Sequence, residues 1–187
     1  ARDSAHAPAT NFTAVRLRRD IFRRSNVGVI ATSRRPSGGS ASVAMGADAS
    51  IRLSANTTVL GYYARTDVAG SSTQASSYRM RFSYAGDRYG VAGEHLMVEP
   101  LFAPAVGYTR RDDFRRDLAT VRFSPRLEGS RHVRKLTWQA TLDYVTDSAV
   151  TTVENRSIEG SFGIEFHSGD QAELQYADEY ERLPRNF

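Results

Sequence analysis

Residues 77–98 alternate. Tyr78, Met80, Phe82 and Tyr84 fall on one side of a pleated strand and Arg79, Arg81 and Ser83 on the other, because successive strand side chains point to opposite faces. Gly86 and Asp87 follow as a two-residue connection with glycine first, the pattern of a type II′ hairpin turn. With Ala85 set opposite Arg88, Tyr84 meets Tyr89, Phe82 meets Val91, Met80 meets Gly93 and Arg79 meets Glu94. The prediction is a hairpin with one apolar, aromatic-ended face and one face holding an ion pair.

The same period recurs along the chain and predicts ten strands and no helix. Residues 11–19 set Thr13, Val15 and Leu17 against Ala14, Arg16 and Arg18, and residues 26–33 set Val27, Val29 and Ala31 against Gly28 and Ile30. Residues 43–54 oppose Met45, Ile51 and Leu53 to Asp48, Ser50 and Arg52, and residues 58–67 oppose Leu60, Tyr62 and Ala64 to Gly61, Tyr63 and Arg65. After the hairpin, residues 118–124 place Val121 and Phe123 opposite Thr120 and Arg122, and residues 133–147 place Leu136, Trp138 and Leu142 opposite Thr137, Gln139 and Asp143. Residues 153–167 alternate most cleanly, with Ile158, Phe162 and Ile164 against Glu159, Ser161 and Glu165. A turn at Ser168, Gly169 and Asp170 leads to a last strand with Ala172, Leu174 and Tyr176. If Phe166 pairs with Ala172, Glu165 stands opposite Glu173, an unfavourable like-charge pair. All six prolines are expected outside the strands.

A chain of 187 residues accommodates one domain. Its +4 charge comes from 25 basic and 21 acidic residues scattered together, which argues against nucleic acid as a partner. Having no cysteine, it has neither a disulfide framework nor thiolate metal sites. No apolar run reaches the 18 residues of a membrane helix, and residues 1–12 lack a signal-peptide core. Membrane strands need no such run, so the mean hydropathy of -0.47 does not separate a membrane barrel from a water-soluble sheet.

Three features favour the membrane. Short connections (20–25, 55–57, 86–87, 168–170) tend to alternate with longer ones (34–42, 68–76, 99–115), as periplasmic turns and external loops do, although residues 125–132 run longer than the rule wants. Aromatics gather near strand ends at Tyr84, Tyr89, Phe123, Tyr144 and Phe166. The polar face carries both signs along many strands, including Asp48, Arg52, Arg65 and Asp143, and an arginine facing mid-membrane lipid would cost roughly 2–4 kcal/mol. Arg79, Arg81, Glu94, Arg122, Glu159 and Glu165 are therefore the lumen-facing candidates, read first as structural ion pairs and second as a solute path.

The segment 84–116, YAGDRYGVAGEHLMVEPLFAPAVGYTRRDDFRR, with NFTAVRLRRD before it and LTWQATLDYV, GIEF and ERLPRNF after it, resembles an uncharacterised bacterial family of outer-membrane β-barrels. In that family the barrel follows a module similar to family-9 carbohydrate-binding domains. The resemblance implies a bacterial outer-membrane location and a segment of a larger barrel whose partners are the lipid bilayer and the remainder of the full-length chain, with a saccharide or small solute as a further partner class. It supplies no catalytic residues to carry over.

The expectation is thus an all-β, antiparallel up-and-down meander of about ten strands, part of a transmembrane β-barrel. Residues 1–187 form one barrel segment, with irregular ends at 1–10 and 183–187. Its role is structural, transport or carbohydrate-related at the surface. The alternative is a water-soluble all-β carbohydrate-binding module or sugar-active enzyme whose apolar face is a core. His6, His95, His132 and His167 show no paired-ligand spacing, and no nucleotide or nucleophile motif is present, so no metal, cofactor or catalytic residue is assigned. Arg110, Arg111, Asp112 and Asp113 form a charged rim loop, read as self-paired or as a site for anionic lipid or saccharide.

Overall fold

The computed structural model describes residues 9–68 and 74–183. They form ten strands: β1 (Thr10–Ile21), β2 (Ser25–Pro36), β3 (Ser42–Arg52), β4 (Thr57–Val68), β5 (Gln74–Ala85), β6 (Tyr89–Val98), β7 (Phe114–Phe123), β8 (Val133–Thr146), β9 (Val153–Phe166) and β10 (Gln171–Glu181). All lie in one antiparallel sheet in chain order, with no helix among the described residues. Each strand pairs only with its neighbours in the chain, and β1 and β10 are each paired on one side, so the sheet is open. The ends expected to be irregular fall mostly outside the described residues, although Thr10 already belongs to β1.

The sheet has two chemically distinct faces. The register carries Val29, Ala47, Tyr63, Tyr78 and Met97 onto one face, continued by Val121, Leu142, Ile158 and Leu174. Asp48, Tyr62, Arg79, Leu96, Arg116 and Glu159 lie on the other. Neither face is covered by any other described element. Ala75 and Val98 are the only buried hydrophobic residues described, while Leu17, Met45, Met80 and Leu174 are all more than half exposed. The accessible surface is 13553 Å², against about 8,900 Å² for a compact monomer of this mass. A single layer has no second element on which to bury its apolar stripe.

Several expectations need correction. Ala85 pairs with Gly90, not Arg88, so Tyr84 meets Val91, Phe82 meets Gly93 and Met80 meets His95. The connection is longer than a two-residue turn, and Gly86 lacks the positive φ that type II′ requires. Arg122 from β7 explains the wider loop: its guanidinium donates to the carbonyl oxygens of Gly86 (2.5 Å) and Asp87 (3.1 Å). At the other hairpin, Ala172 pairs with Ile164 rather than Phe166, which brings Gln171 opposite Glu165 and removes the Glu165–Glu173 conflict. Pro36 closes β2 opposite Thr10, an end position where its missing N–H interrupts no ladder. β7 starts four residues before residue 118, so Arg115 and Arg116 are strand residues rather than loop residues. In β4, Tyr63 and Gly61 lie on the apolar face with Tyr78 and Met80, and Arg65 lies there too, opposite Met45. The 125–132 connection is long because it extends the ladder. Arg126 bridges Lys135, Leu127 N–H donates to Arg134 O (3.0 Å), and a bulge between Val133 and Lys135 absorbs Arg134.

Candidate functional site: the polar face and its rims

All six lumen-facing candidates share the polar face. Glu94 stands opposite Arg81 in the ladder, yet its carboxylate is held by Arg79, the diagonal neighbour, at 2.6 Å, with Arg81 at 3.8 Å. The expected Arg79–Glu94 ion pair therefore exists although the predicted register does not. Diagonal reach is ordinary for long side chains. Glu94 is the least exposed charged partner on the face, its side chain 6% exposed, so its neutralisation matters more than that of surface pairs. Tyr62 and Ser77 share a hydrogen bond (3.0 Å) one strand away.

Two further pairs lie outside the sequence expectation. Arg116 clasps Asp143 through two bonds, Nε to Oδ1 (2.8 Å) and Nη2 to Oδ2 (2.5 Å), the bidentate fork that makes arginine–carboxylate pairs strong. Arg16 on β1 reaches Asp48 on β3 (2.7 Å) across β2. Gly28 makes this bridge feasible, since a Cβ there would sit 2.9 Å from the Asp48 carboxylate. The sequence signal for both is present, as the alternation places Asp48 and Asp143 on the polar face; Arg116 escapes it because charge density makes its segment read as loop. Glu165 meets Arg134 of the bulge (3.0 Å), and Glu159 accepts a hydrogen bond from Ser157 (3.3 Å). Arg122 is committed to the turn carbonyls and to Ser124.

On the apolar face an aromatic ladder runs across four strands near the short-turn edge. Tyr89 stacks on Phe123 (5.3 Å between centroids), Phe123 on Trp138 (5.7 Å), and Trp138 meets Phe162 (5.2 Å). The Arg88 guanidinium lies over both Tyr89 and Phe123. Toward the opposite edge, a row of charges ends the apolar run. His95 Nδ1 contacts Asp117 (2.6 Å), Arg115 pairs with the same carboxylate (2.8 Å), and Arg156 faces Asp178 (3.5 Å).

The rim loop is self-paired in part. Asp112 accepts from Leu101 N–H (3.0 Å), Asp113 accepts from Ser148 Oγ (2.5 Å), and Arg111 bonds Glu154 and covers the Phe114 ring. Arg110 is exposed. At the short-turn edge, Arg126 clamps Asp87 with two bonds of 2.9 Å, holding that carboxyl below its usual range. Asp147, in the β8–β9 loop, is likewise lowered by hydrogen bonds from Thr151 and Thr152. No group of three or more His, Asp or Glu able to hold a metal ion occurs among the described residues. The chain matches no family model, no curated protein and no solved structure.

Proposed function

We propose that this chain is a wall segment of a bacterial outer-membrane β-barrel, with a structural and solute-admitting role. Its apolar face meets lipid, its ion-paired face lines the lumen, and further strands at β1 and β10 complete the ring.

The observation that carries this reading is the uncovered apolar face. Nine inter-strand spacings of about 4.8 Å make it roughly 43 Å wide, and a run of about 20 Å along the strands gives on the order of 900 Å². Water-soluble monomers seldom leave more than about 300–600 Å² of contiguous apolar surface open. On β9 the apolar positions run unbroken from Ile158 to Phe166, about 27 Å of strand and about 20 Å of height at a tilt near 40°, close to the apolar band of known barrels. On β6 and β7 the run is cut shorter by His95 and Asp117. There the charges are paired among themselves and with Arg115, the arrangement ionised groups near lipid require. Tyr89 and Phe123, the strand-end members of the aromatic ladder, sit where a headgroup-level girdle would, while Phe162 lies at the middle of the β9 run.

The test is assembly of the full-length protein, with the strands that complete the ring, into phosphatidylcholine vesicles as two variants of neighbouring residues. Phe162→Arg places a cation on the lipid side at a cost of roughly 2–4 kcal/mol and is expected to block insertion; Ser161→Arg, on the other face, should insert. Equal behaviour of the two variants refutes the orientation. A monodisperse, cooperatively unfolding monomer in the absence of detergent favours the water-soluble module instead.

A further inference from the structure

The charges of the polar face are not evenly mixed. Among the described residues, β1 to β7 present eight arginines there (Arg16, Arg18, Arg34, Arg52, Arg79, Arg81, Arg116 and Arg122) against three carboxylates, Asp20, Asp48 and Glu94. β8 to β10 present six carboxylates (Asp143, Glu159, Glu165, Glu173, Glu179 and Glu181) against Lys135 and the bulge residue Arg134. The face as a whole is nearly neutral, but its two sides carry opposite signs.

The ion pairs do not erase this difference. Arg16, Arg79 and Arg116 are each engaged with a carboxylate, which leaves Arg18, Arg34 and Arg52 with no ion pair among the described residues. Glu159, Glu173, Glu179 and Glu181 likewise have none. Glu159 and Glu173 border a polar depression of about 290 Å³ with Gln139, Thr141 and Gln175.

We infer that the polar face is an electrostatic sorter with a transverse gradient, drawing anionic groups to β1 to β7 and cationic groups to β8 to β10, so that it orients small solutes carrying both signs rather than selecting by net charge. The lumenal meaning of this gradient rests on the barrel reading; the gradient itself is a property of the face.

The chain contains no cysteine, so single thiols can be placed without background. Ser83 lies two residues from Arg81 and opposite Thr58, whose other neighbour is Arg52. Gln175 lies two residues from Glu173 and opposite Ser161, next to Glu159 along β9. Ser83→Cys and Gln175→Cys, each made in the full-length protein with any cysteine outside this segment replaced by serine and assembled in phosphatidylcholine vesicles, are reacted with anionic and cationic methanethiosulfonate reagents of matched size. Local potentials of one to a few kT change each rate several-fold. The anionic-to-cationic rate ratio is therefore expected to be about tenfold or more higher in the Ser83→Cys variant than in Gln175→Cys, and to converge in 1 M salt, where the screening length falls to about 3 Å. Adding Glu159→Gln and Glu173→Gln should abolish the preference of the thiol on β10 and leave that of the thiol on β5 unchanged. Equal ratios at the two sites, or a difference insensitive to both salt and the glutamate substitutions, overturn the inference. Ala140→Cys, on the apolar face opposite Val121 and Gly160, separates the two ideas. Protection of this thiol from both reagents in vesicles supports the lipid-facing assignment. Reaction as fast as that of Gln175→Cys overturns the barrel reading, and with it the lumenal role, whatever the ratios at the other two sites.

Discussion

Phe123→Ala removes the middle of the aromatic ladder. Phe123 contacts Tyr89 at 5.3 Å with planes 26° apart and Trp138 at 5.7 Å with planes 19° apart, and Arg88 lies 5.4 Å above its ring. Two ring pairs at about 0.5–1.5 kcal/mol each and a half-exposed cation–π contact at about 0.5–1 kcal/mol place the cost near 1.5–4 kcal/mol. With a urea slope of about 2 kcal/mol per molar, the unfolding midpoint should fall by about 1–2 M. Trp138 is the single tryptophan of the chain and sits beside the deleted ring, so its emission follows the transition directly. The control is Phe12→Ala. Phe12 lies on the polar face of the edge strand β1 and is 60% exposed, so its loss should cost within about 0.5 kcal/mol. A midpoint for Phe123→Ala no lower than that for Phe12→Ala would refute the view that the ladder ties β6 to β9 together.

Glycines supply a second contrast. A Cβ at Gly61 would approach the Arg79 carbonyl oxygen to 2.8 Å, whereas one at Gly93 meets nothing within 4 Å; Gly61→Ala should therefore cost about 1–3 kcal/mol, and Gly93→Ala should be neutral or stabilising by up to about 1 kcal/mol. Urea midpoints of the two variants decide it, and equal effects would be inconsistent with the β4–β5 register. The Asp87–Arg126 clamp gives a pH dependence. Because the folded carboxyl titrates below its ordinary value of 3.8, its stabilisation is complete above that value and is lost as pH falls through the lower folded one. The slope of stability against pH below about 4 should be shallower in Asp87→Asn than in the parent, and identical slopes would dismiss the clamp.

What the alternation encodes is parity, and parity is legible almost everywhere. The pattern predicts ten strands and ten form, with Arg79, Arg81, Glu94, Arg122, Glu159 and Glu165 on one face as the period requires. The exception is instructive. In β4 both sets of alternate positions contain a tyrosine and a small residue, so the pattern carries little contrast, and only pairing with Met80 and Tyr78 decides that Gly61 and Tyr63 face the apolar side. Arg65 then lies on that face because its position in the strand demands it, and it finds Asp67 within 3.9 Å. Arg116 and Asp117 are hidden for a different reason. Three charged residues in succession look like solvated loop, although in a two-faced sheet consecutive charges can be answered separately, Arg116 by Asp143 on one face and Asp117 by His95 on the other.

Register is a different matter, because a slip of two residues returns every side chain to its own face. At both hairpins where expectation and structure part, β5–β6 and β9–β10, the difference is such a slip, so neither apolar burial nor the two-faced pattern can select between the alternatives. Selection falls instead to contacts that a slip does change. At β9–β10 the observed register separates two glutamates; at β5–β6 it widens the turn enough for Arg122 to collect two carbonyl oxygens. Side-chain ion pairs are poor arbiters by comparison. Arg79 reaches Glu94 diagonally in the observed register and would stand directly opposite it in the predicted one. In a sheet with no second layer among the described residues to lock its strands, the turn-binding arginine at β5–β6, the separated glutamates at β9–β10 and the aromatic ladder between β6 and β9 therefore carry the positional information that a packed core supplies elsewhere.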